Sequence, residues 1–517
     1  MSVPSTLASI LEIVDIAADK REEAEACLSE FVALGEEAKK AARPATIKKV
    51  FPLAFGEIAA IETSANFEDL KQSPWSTNCY LSPATIVTPF TAQQVSKILL
   101  LIRFLGAKFS VRGGGHLHNP GFTSNDGGVV ISMTKFTQCT LSEDKKTAHI
   151  GPGLTWLDVY KALDPMGIAV TGGRVPSVGV PGLLLGGGLS FQNSKHGFSC
   201  MGIANYEIVL ADGKIVNANP KENTDLFWAL KGGCANFGIV TKVEMTTVPN
   251  KVWAEARLYS PTQNGELLDA LMLYHEACEK DPNATLIWQS VNQATLLVFF
   301  YCAPVENPDV FKCFYDIPFM INVLPPALTT VYGVVQGLAN VLSADILLHE
   351  MRTMSSLPDL DMYKAVEACR IEQIEVLKNV EGIILTMVIQ PIASNAINAS
   401  NANGGNPMGL IAQNHQWFLV MADWKNAKDE ELVRKSVRKI LDTAEEVSKK
   451  NGTYLPFVYS NYASRDQDPL VSYGTENLQK LKDIAKKYDA DSVFQNLQNG
   501  GWLVSKSGMP DMSSLKI

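Results

Sequence analysis

The segment that most restricts how this chain can fold is residues 172–190, GGRVPSVGVPGLLLGGGLS. It combines many glycines with two prolines, and its apolar residues stand between glycines instead of following a helical period. Each glycine in a helix interior costs about 1 kcal/mol relative to alanine, so one core helix over the whole segment is disfavoured. The pattern is typical of a backbone surface shaped around a flat or extended ligand.

Two further glycine-rich turns occur nearby. In SVRGGGHLHNPG (110–121) three glycines lead from a β-rich run into a histidine, and DLFWALKGGCANFGIVTKVEM (225–245) predicts a helix, a Gly-Gly turn and a strand. Consecutive glycines let backbone N–H groups converge on an anion such as a pyrophosphate, although such turns are common and one alone is also compatible with a purely structural tight turn. No segment matches a dinucleotide-binding G-x-G-x-x-G in its proper context or a P-loop, which disfavours an NAD dehydrogenase.

Length and charge indicate a globular protein of two or three domains. The chain has 517 residues, 19% of them charged, and a net charge of −9, which disfavours nucleic acid and anionic membranes as partners. The N-terminus is typical of an amphipathic helix and not of a signal peptide, and no apolar run reaches the ~18 residues of a membrane span. We expect a cytoplasmic protein, since the terminal LKI resembles a peroxisomal address only distantly. The nine cysteines are scattered without a CxxC pair, so we expect no metal site.

The pattern of predicted elements changes near residue 250. Before it, short β-rich runs alternate with helices, such as one that Thr91 is placed to cap. After it, β-rich runs such as TLLVFFYC and QWFLVMADW alternate with long helices, which predicts an antiparallel sheet covered by helices on one face. The Asn/Gly-rich segment 392–409 is predicted to be a surface loop.

Together these motifs resemble the FAD-binding domain of the vanillyl-alcohol-oxidase (PCMH-type) superfamily, and most closely the fungal form of its berberine-bridge-enzyme branch. The resemblance rests on PATIVTP, VRGGGH, GPGLTWLDV, GGRVPSVGV, LGGG and DLFWALKGG, and near the C-terminus on NYASRDQDP and the residues that follow. It implies a two-domain α+β fold. The implied parts are an FAD-binding domain over 1–250 with its core at about 79–250, a substrate domain over 251–454, and a C-terminal return to the FAD domain over 455–517.

The resemblance also implies which residues hold FAD. The histidine that the family joins to the 8α-methyl group of the flavin is His116 here, whereas Val175 occupies the place of the cysteine that makes a second bond. Covalent attachment through His116 only is therefore implied. Val178 takes the position over the ring that is associated with oxygen access, and Leu183 replaces a histidine of the plant enzymes. The other implied contacts are Arg112, Gly113, Gly114, Gly115, Gly179, Gly182, Gly187, Ile239, Val240, Asn461 and Tyr462.

The implied reaction is an oxidation of a small, secondary-metabolite-like molecule, with a hydride passing to flavin N5 and O₂ reoxidising the flavin to give H₂O₂. Tyr462 is the candidate base, the alternative being a hydrogen bond to the cofactor or the core. His415 and Trp417 share one face of a predicted strand and are further candidate catalytic residues lining the pocket, the alternative being ordinary core packing. A second function stays open because of Val175 and Leu183: a flavoprotein that guides a redox-neutral cyclisation, with FAD mainly structural.

Overall fold

The computed structural model describes residues 6–339 and 346–508. Its helices are α1 (Leu7–Val14), α2 (Ala18–Ala33), α3 (Glu36–Phe55), α4 (Phe67–Lys71), α5 (Ala92–Leu105), α6 (Trp156–Leu163), α7 (Val180–Leu185), α8 (Asn193–His196), α9 (Thr224–Leu230), α10 (Asn264–Cys278), α11 (Val331–Ala339), α12 (Leu360–Leu377), α13 (Ser394–Ala402), α14 (Glu430–Asn451), α15 (Thr475–Tyr488) and α16 (Val493–Leu497). Its strands are β1 (Ala59–Ala60), β2 (Thr85–Val87), β3 (Phe109–Arg112), β4 (Val129–Ser132), β5 (Cys139–Leu141), β6 (Thr147–Ile150), β7 (Ile168–Val170), β8 (Ile203–Val209), β9 (Ile215–Ala218), β10 (Ile239–Pro249), β11 (Lys251–Tyr259), β12 (Ala284–Val291), β13 (Ala294–Tyr301), β14 (Ile321–Thr330), β15 (Leu348–Ser356), β16 (Ile384–Ile392), β17 (His415–Trp424) and β18 (Tyr454–Leu455).

The part of the chain before residue 250 forms two sheets. The first has the order β1-β2-β4-β3, with β2 and β3 both parallel to β4. The second has the order β5-β6-β10-β8-β9, and β7 pairs with another stretch of β10. The predicted cap of α5 is confirmed, since the Thr91 side chain accepts a hydrogen bond from the Gln94 amide, and Gly106 ends this helix with φ +60°.

The remaining strands form one antiparallel sheet with the order β14-β11-β13-β12-β16-β17-β15-β18. The helices α10, α12 and α14 pack together against it, around a core that includes Trp288, Phe299 and Phe418. The predicted α+β class, with helices packed on an antiparallel sheet, is confirmed. The proposed domain boundary at 250/251 falls between β10 and β11.

The C-terminal segment returns to the first part of the chain. The Asn119 side chain donates to the Ala463 carbonyl at 3.0 Å, and Phe109 forms a parallel bridge with Gln498. One prediction is wrong here: residues 394–402 of the proposed loop form α13. This helix buries Ala396 and Ile397, so packing against the core outweighs the poor helix propensity of its asparagines. No helix in the described part of the chain is long and apolar enough to cross a bilayer.

Candidate active site

A cavity of about 480 Å³ lies between the glycine-rich turns and one face of the eight-stranded sheet. The first turn contributes residues 113–117, the second contributes residues from Arg174 to Gly186, and the third contributes Cys234, Ala235 and residues 238–240. The sheet contributes inward-facing residues of β12, β13, β15, β16 and β17. The three turns that the sequence singles out therefore share one cavity.

Gly114 and Gly179 bring the first two turns into backbone contact. A methyl group added at Gly114 would lie 2.5 Å from the amide nitrogen of Gly179, and one added at Gly179 would lie 2.6 Å from Cα of Gly114. Both obstacles are backbone atoms, which cannot move aside as a flexible side chain can. Only glycine fits at these two positions, which explains why both turns are rich in it.

The first turn presents free hydrogen-bond donors. The N–H groups of residues 113–117 donate to no backbone acceptor within residues 6–339 and 346–508. Just before them, Nε, Nη1 and Nη2 of the buried Arg112 have no partner in the same ranges, and burial lowers the pKa of this guanidinium to about 10. Free amides beside a buried cation match the charge of an anion such as the FAD pyrophosphate, so these residues fit that cofactor. Arg112 does not itself line the cavity.

His116 is held by a hydrogen bond and a stacked ring. Its Nε2 lies 2.8 Å from Oγ of Ser177, and its ring stacks on Trp75 with centroids 4.7 Å apart. Burial lowers the pKa of His116 to about 4, so the imidazole is neutral at physiological pH. Because Ser177 engages Nε2, Nδ1 is the ring nitrogen without a hydrogen bond to another described residue. The neighbouring His118 points elsewhere, and its Nε2 accepts the Met351 amide at 3.3 Å.

The other predicted cofactor residues divide into two groups. Those that line the cavity are Gly113, Gly114, Gly115, Val178, Gly179, Gly182, Ile239, Val240, Asn461 and Tyr462. Gly187 does not; its φ is +99°, and a methyl group there would lie 2.6 Å from Sδ of Met408. Val175 and Leu183 also line the cavity, so the residue in the family's cysteine position lies at the cavity wall and carries no thiol.

Tyr462 belongs to a polar group that the sequence did not reveal in full. Nη2 of Arg174 donates to the Tyr462 hydroxyl oxygen at 3.0 Å, and Oε1 of Gln390 accepts from both residues. Nε2 of Gln390 is buried without a partner among the described residues. In the sequence, this group could have been noticed from two residues: the charged Arg174 within the glycine-rich segment and the polar Gln390 within the otherwise apolar β16.

His415 and Trp417 lie in the core and do not line the cavity. The indole N–H of Trp417 donates to Nε2 of His415 at 3.1 Å, and its ring packs between Phe198 and Tyr459. The structure therefore corresponds to the core-packing alternative for both residues. The cavity meets the same face of β17 farther along, where its side chains are Leu419, Met421 and Asp423.

His349 and Asp423 form a second polar pair that the sequence did not reveal. They are opposite each other in the pairing of β15 with β17, and Nε2 of His349 lies 3.7 Å from Oδ1 of Asp423. Both line the cavity, and Nδ1 of His349 and Oδ1 of Asp423 lack hydrogen bonds within the described ranges. The His349 ring also stacks on Trp75 with centroids 3.5 Å apart. In the sequence, this pair could have been noticed from Asp423, an acidic residue on the inward face of the otherwise apolar β17.

Burial raises the pKa of Asp423 from 3.8 to about 7, and this makes protein stability depend on pH. A raised pKa means that folding favours the protonated acid, so its contribution is full below pH 3.8 and is lost as the pH rises through 7. We expect Asp423→Asn to increase the free energy of unfolding by about 2–4 kcal/mol at pH 8 and by less than half of that at pH 5, where the carboxyl is ionised in the unfolded chain but protonated in the folded one. Urea unfolding at the two pH values measures this.

Asp466→Asn is the matched control. Burial opposes ionisation of this carboxyl, but the neighbouring Arg352 and Arg438 lower its pKa below the usual value. We expect this variant to lose stability at pH 8. A loss at pH 8 for Asp423→Asn as well would contradict the raised pKa of Asp423.

Comparison with known proteins identifies an FAD binding domain in this chain. Residues 83–219 match the FAD binding domain family. An FAD-dependent monooxygenase of Arthrobotrys oligospora is 37% identical over 87% of this chain and 88% of its own length. The structure of 6-hydroxy-D-nicotine oxidase from Arthrobacter nicotinovorans superposes with a TM-score of 0.73 at 22% identity, covering 86% of this chain and 97% of that one.

A further solved structure is glucooligosaccharide oxidase from Acremonium strictum, which is described as carrying 6-S-cysteinyl, 8α-N1-histidyl FAD. Its TM-score is 0.71 at 18% identity, over 84% of this chain and 95% of that one. At that identity the likeness shows the fold. With the 37% identical relative and the matched FAD binding domain, the chain belongs to the same FAD-dependent oxidoreductase family as the Arthrobotrys oligospora enzyme.

Proposed function

We propose that this enzyme is an oxidase whose FAD is joined covalently to His116 alone and whose substrate is a small, largely apolar organic molecule. The observation that carries the proposal is that His116, the free amides of the first turn and the Tyr462 group all face one cavity. When bound there, FAD would accept a hydride from the substrate and pass two electrons to O₂. The protein's own residues then have three tasks: to hold the cofactor, to orient the substrate and to accept a proton.

The covalent bond is assigned to one residue because of what faces the cavity at the family's two attachment positions. His116 offers Nδ1 of a neutral imidazole whose orientation Ser177 and Trp75 fix. Val175 offers only a hydrocarbon side chain. The glucooligosaccharide oxidase is named for both a histidyl and a cysteinyl bond to FAD, whereas we propose only the histidyl bond for this chain.

Tyr462 is the proposed proton acceptor. Its hydroxyl oxygen faces the guanidinium of Arg174 at 3.0 Å, which places positive charge where a phenolate would carry negative charge. Gln390 accepts hydrogen bonds from both the guanidinium and the hydroxyl, and so keeps the two groups next to each other. In this arrangement the Tyr462 oxygen, ionised by prior loss of its own proton to solvent, takes the substrate O–H or N–H proton as the hydride leaves the adjacent carbon.

The sheet side of the cavity indicates the substrate class. Its wall is mainly hydrocarbon, whereas a free sugar would require many hydrogen-bonding side chains. The apolar residues of this wall are Ile287, Leu296, Val298, Met351, Val388, Leu419 and Met421. We expect an alkaloid-like or polyketide-like molecule with one oxidisable C–H bond next to an O–H or N–H group.

Tyr462→Phe should reduce kcat by about 10²–10³-fold, because it removes the proton acceptor while leaving the ring in place. FAD content should not change. Stopped-flow measurement of flavin reduction gives the rate of the affected step directly. Tyr488→Phe, which removes a hydroxyl that bonds to Asp225 outside the cavity, serves as the control. A Tyr462→Phe enzyme with the wild-type rate of flavin reduction would exclude Tyr462 as the base.

The reaction class is tested by anaerobic mixing with candidate substrates. An oxidase substrate bleaches the visible flavin absorbance, and O₂ then restores it with one H₂O₂ formed per product. Because the 37% identical relative is named a monooxygenase, the same reaction should be run in ¹⁸O₂. Label in the product would identify a monooxygenase instead. Turnover with neither bleaching nor peroxide would support the redox-neutral alternative.

A further inference from the structure

We propose that His349 and Asp423 form a proton-accepting site that promotes the attachment of FAD to His116. This inference rests on the histidyl attachment proposed above. It concerns how the bond is made, whereas the proposed function concerns what the finished cofactor does. It also gives a chemical role to two buried side chains that the proposed oxidation does not use.

The pair is placed beside His116 by one short segment. The Trp75 ring stacks on the His116 imidazole and also on the His349 imidazole. The Trp75 amide donates to the Gly115 carbonyl at 3.0 Å, and Oγ of Ser76 accepts the His349 amide at 3.0 Å. Residues 75 and 76 therefore connect the glycine turn directly to β15. His116, His349 and Asp423 all line the cavity at this segment.

The pair has unused hydrogen-bonding capacity at this place. Nδ1 of His349 and Oδ1 of Asp423 are both buried and unpartnered within the described ranges, and the 3.7 Å between Nε2 and Oδ1 is too long for a hydrogen bond. Buried polar atoms without partners are costly and are rare in native proteins. Asp423 is also the one carboxyl group among the described residues that line the cavity.

The attachment reaction needs such a base. One C–H bond of the flavin 8-methyl group and the imidazole N–H of His116 are lost, and a C–N bond forms between that carbon and Nδ1. The two electrons released remain on the flavin until O₂ takes them, with two protons, as H₂O₂. The methyl C–H releases its electron pair to the ring only if a neighbouring group accepts the proton.

Asp423 is suited to that step. Burial raises the pKa of its carboxyl to about 7, so near neutral pH it can both accept and release a proton. Burial, followed by the nearby His118 and His116, lowers the pKa of His349 to about 3, so the imidazole stays neutral. In the proposed step Asp423 is the acceptor, and the neutral His349 lies opposite it in the strand pair.

The experiment compares the rate of attachment in variants that still bind FAD. Apoprotein from a flavin-limited host is incubated with FAD in air, and the intact mass after denaturation is followed over time. We expect Asp423→Asn and Asp423→Ala to bind FAD but to attach it at least 10-fold more slowly than wild type. We expect formate to restore attachment in Asp423→Ala, which a merely structural role would not allow.

Glu350→Gln is the matched control. Glu350 is the next residue on β15, is also buried, and has a pKa that burial raises to about 7, but it bonds to Ser464 and does not line the cavity. It should attach FAD at the wild-type rate. Wild-type rates in both Asp423 variants, or equal slowing in Glu350→Gln, would overturn the inference while leaving attachment at His116 intact. A wild-type protein without the added mass of FAD would overturn the histidyl attachment itself.

Discussion

Replacing His116 by alanine should convert all of the bound flavin from covalent to dissociable. Acid precipitation of the wild-type protein should leave a yellow pellet, and its intact mass should exceed that of the chain by one FAD. The His116→Ala protein should release its flavin entirely into the supernatant and show the mass of the chain alone. The reason is chemical, because Val175 provides no second nucleophile at the other attachment position of the family.

The control is His196→Ala, since that imidazole lies outside the cavity. It should keep the covalent flavin in full. Covalent flavin that survives in His116→Ala would show that another residue forms the bond. Cys234, which is the cysteine among the described residues of the cavity wall, would then be examined next.

The second large effect is expected at Gly114. A single added methyl group there would lie 2.5 Å from the Gly179 amide nitrogen and 2.6 Å from its Cα, so the two glycine-rich turns must separate. Their separation displaces the free amides of the first turn. We expect Gly114→Ala to weaken FAD binding by at least 100-fold, measured by flavin content on purification and by titration of apoprotein with FAD.

Gly265→Ala provides the comparison, because a methyl group at that position in α10 would meet no atom within 4 Å. It should bind FAD as the wild type does. A Gly114→Ala protein with a full complement of FAD would show that the first turn does not hold the cofactor. Circular dichroism of both variants separates a local effect on the turn from a loss of the fold.

The glycine-rich turns could be predicted from the sequence because their conformation depends on local chemistry. A turn that only glycine can form is recognisable in the sequence as a run of glycines, and all three such turns line the cavity. His116 could be identified for the same reason, since it directly follows its turn. Which residues of different turns contact each other, such as Gly114 and Gly179, cannot be recognised from the sequence in this way.

The two polar groups of the cavity depend on pairing across long stretches of chain. His349 meets Asp423 only because β15 pairs with β17, and Arg174 meets Gln390 only because the second turn faces β16. The alternation of side-chain direction along a strand predicts which residues share a face. It does not predict which part of that face borders a cavity and which part is covered by other side chains. His415 and Trp417 share the inward face of β17, yet the rings of Phe198 and Tyr459 cover the indole at that end.

The contact between Gly114 and Gly179 makes the site sensitive in an unusual direction. The first turn presents main-chain amides, which no amino-acid replacement other than proline removes. Deleting side-chain atoms nearby therefore leaves the donors in place, whereas adding one carbon at either glycine forces the turns apart. Around the first turn, we expect substitutions that add side-chain atoms to be the most harmful. Along the hydrocarbon wall of the sheet, we expect substitutions that remove side-chain atoms to be the most harmful. Substrate range can thus diverge between related enzymes through the sheet while the glycine turns stay constant.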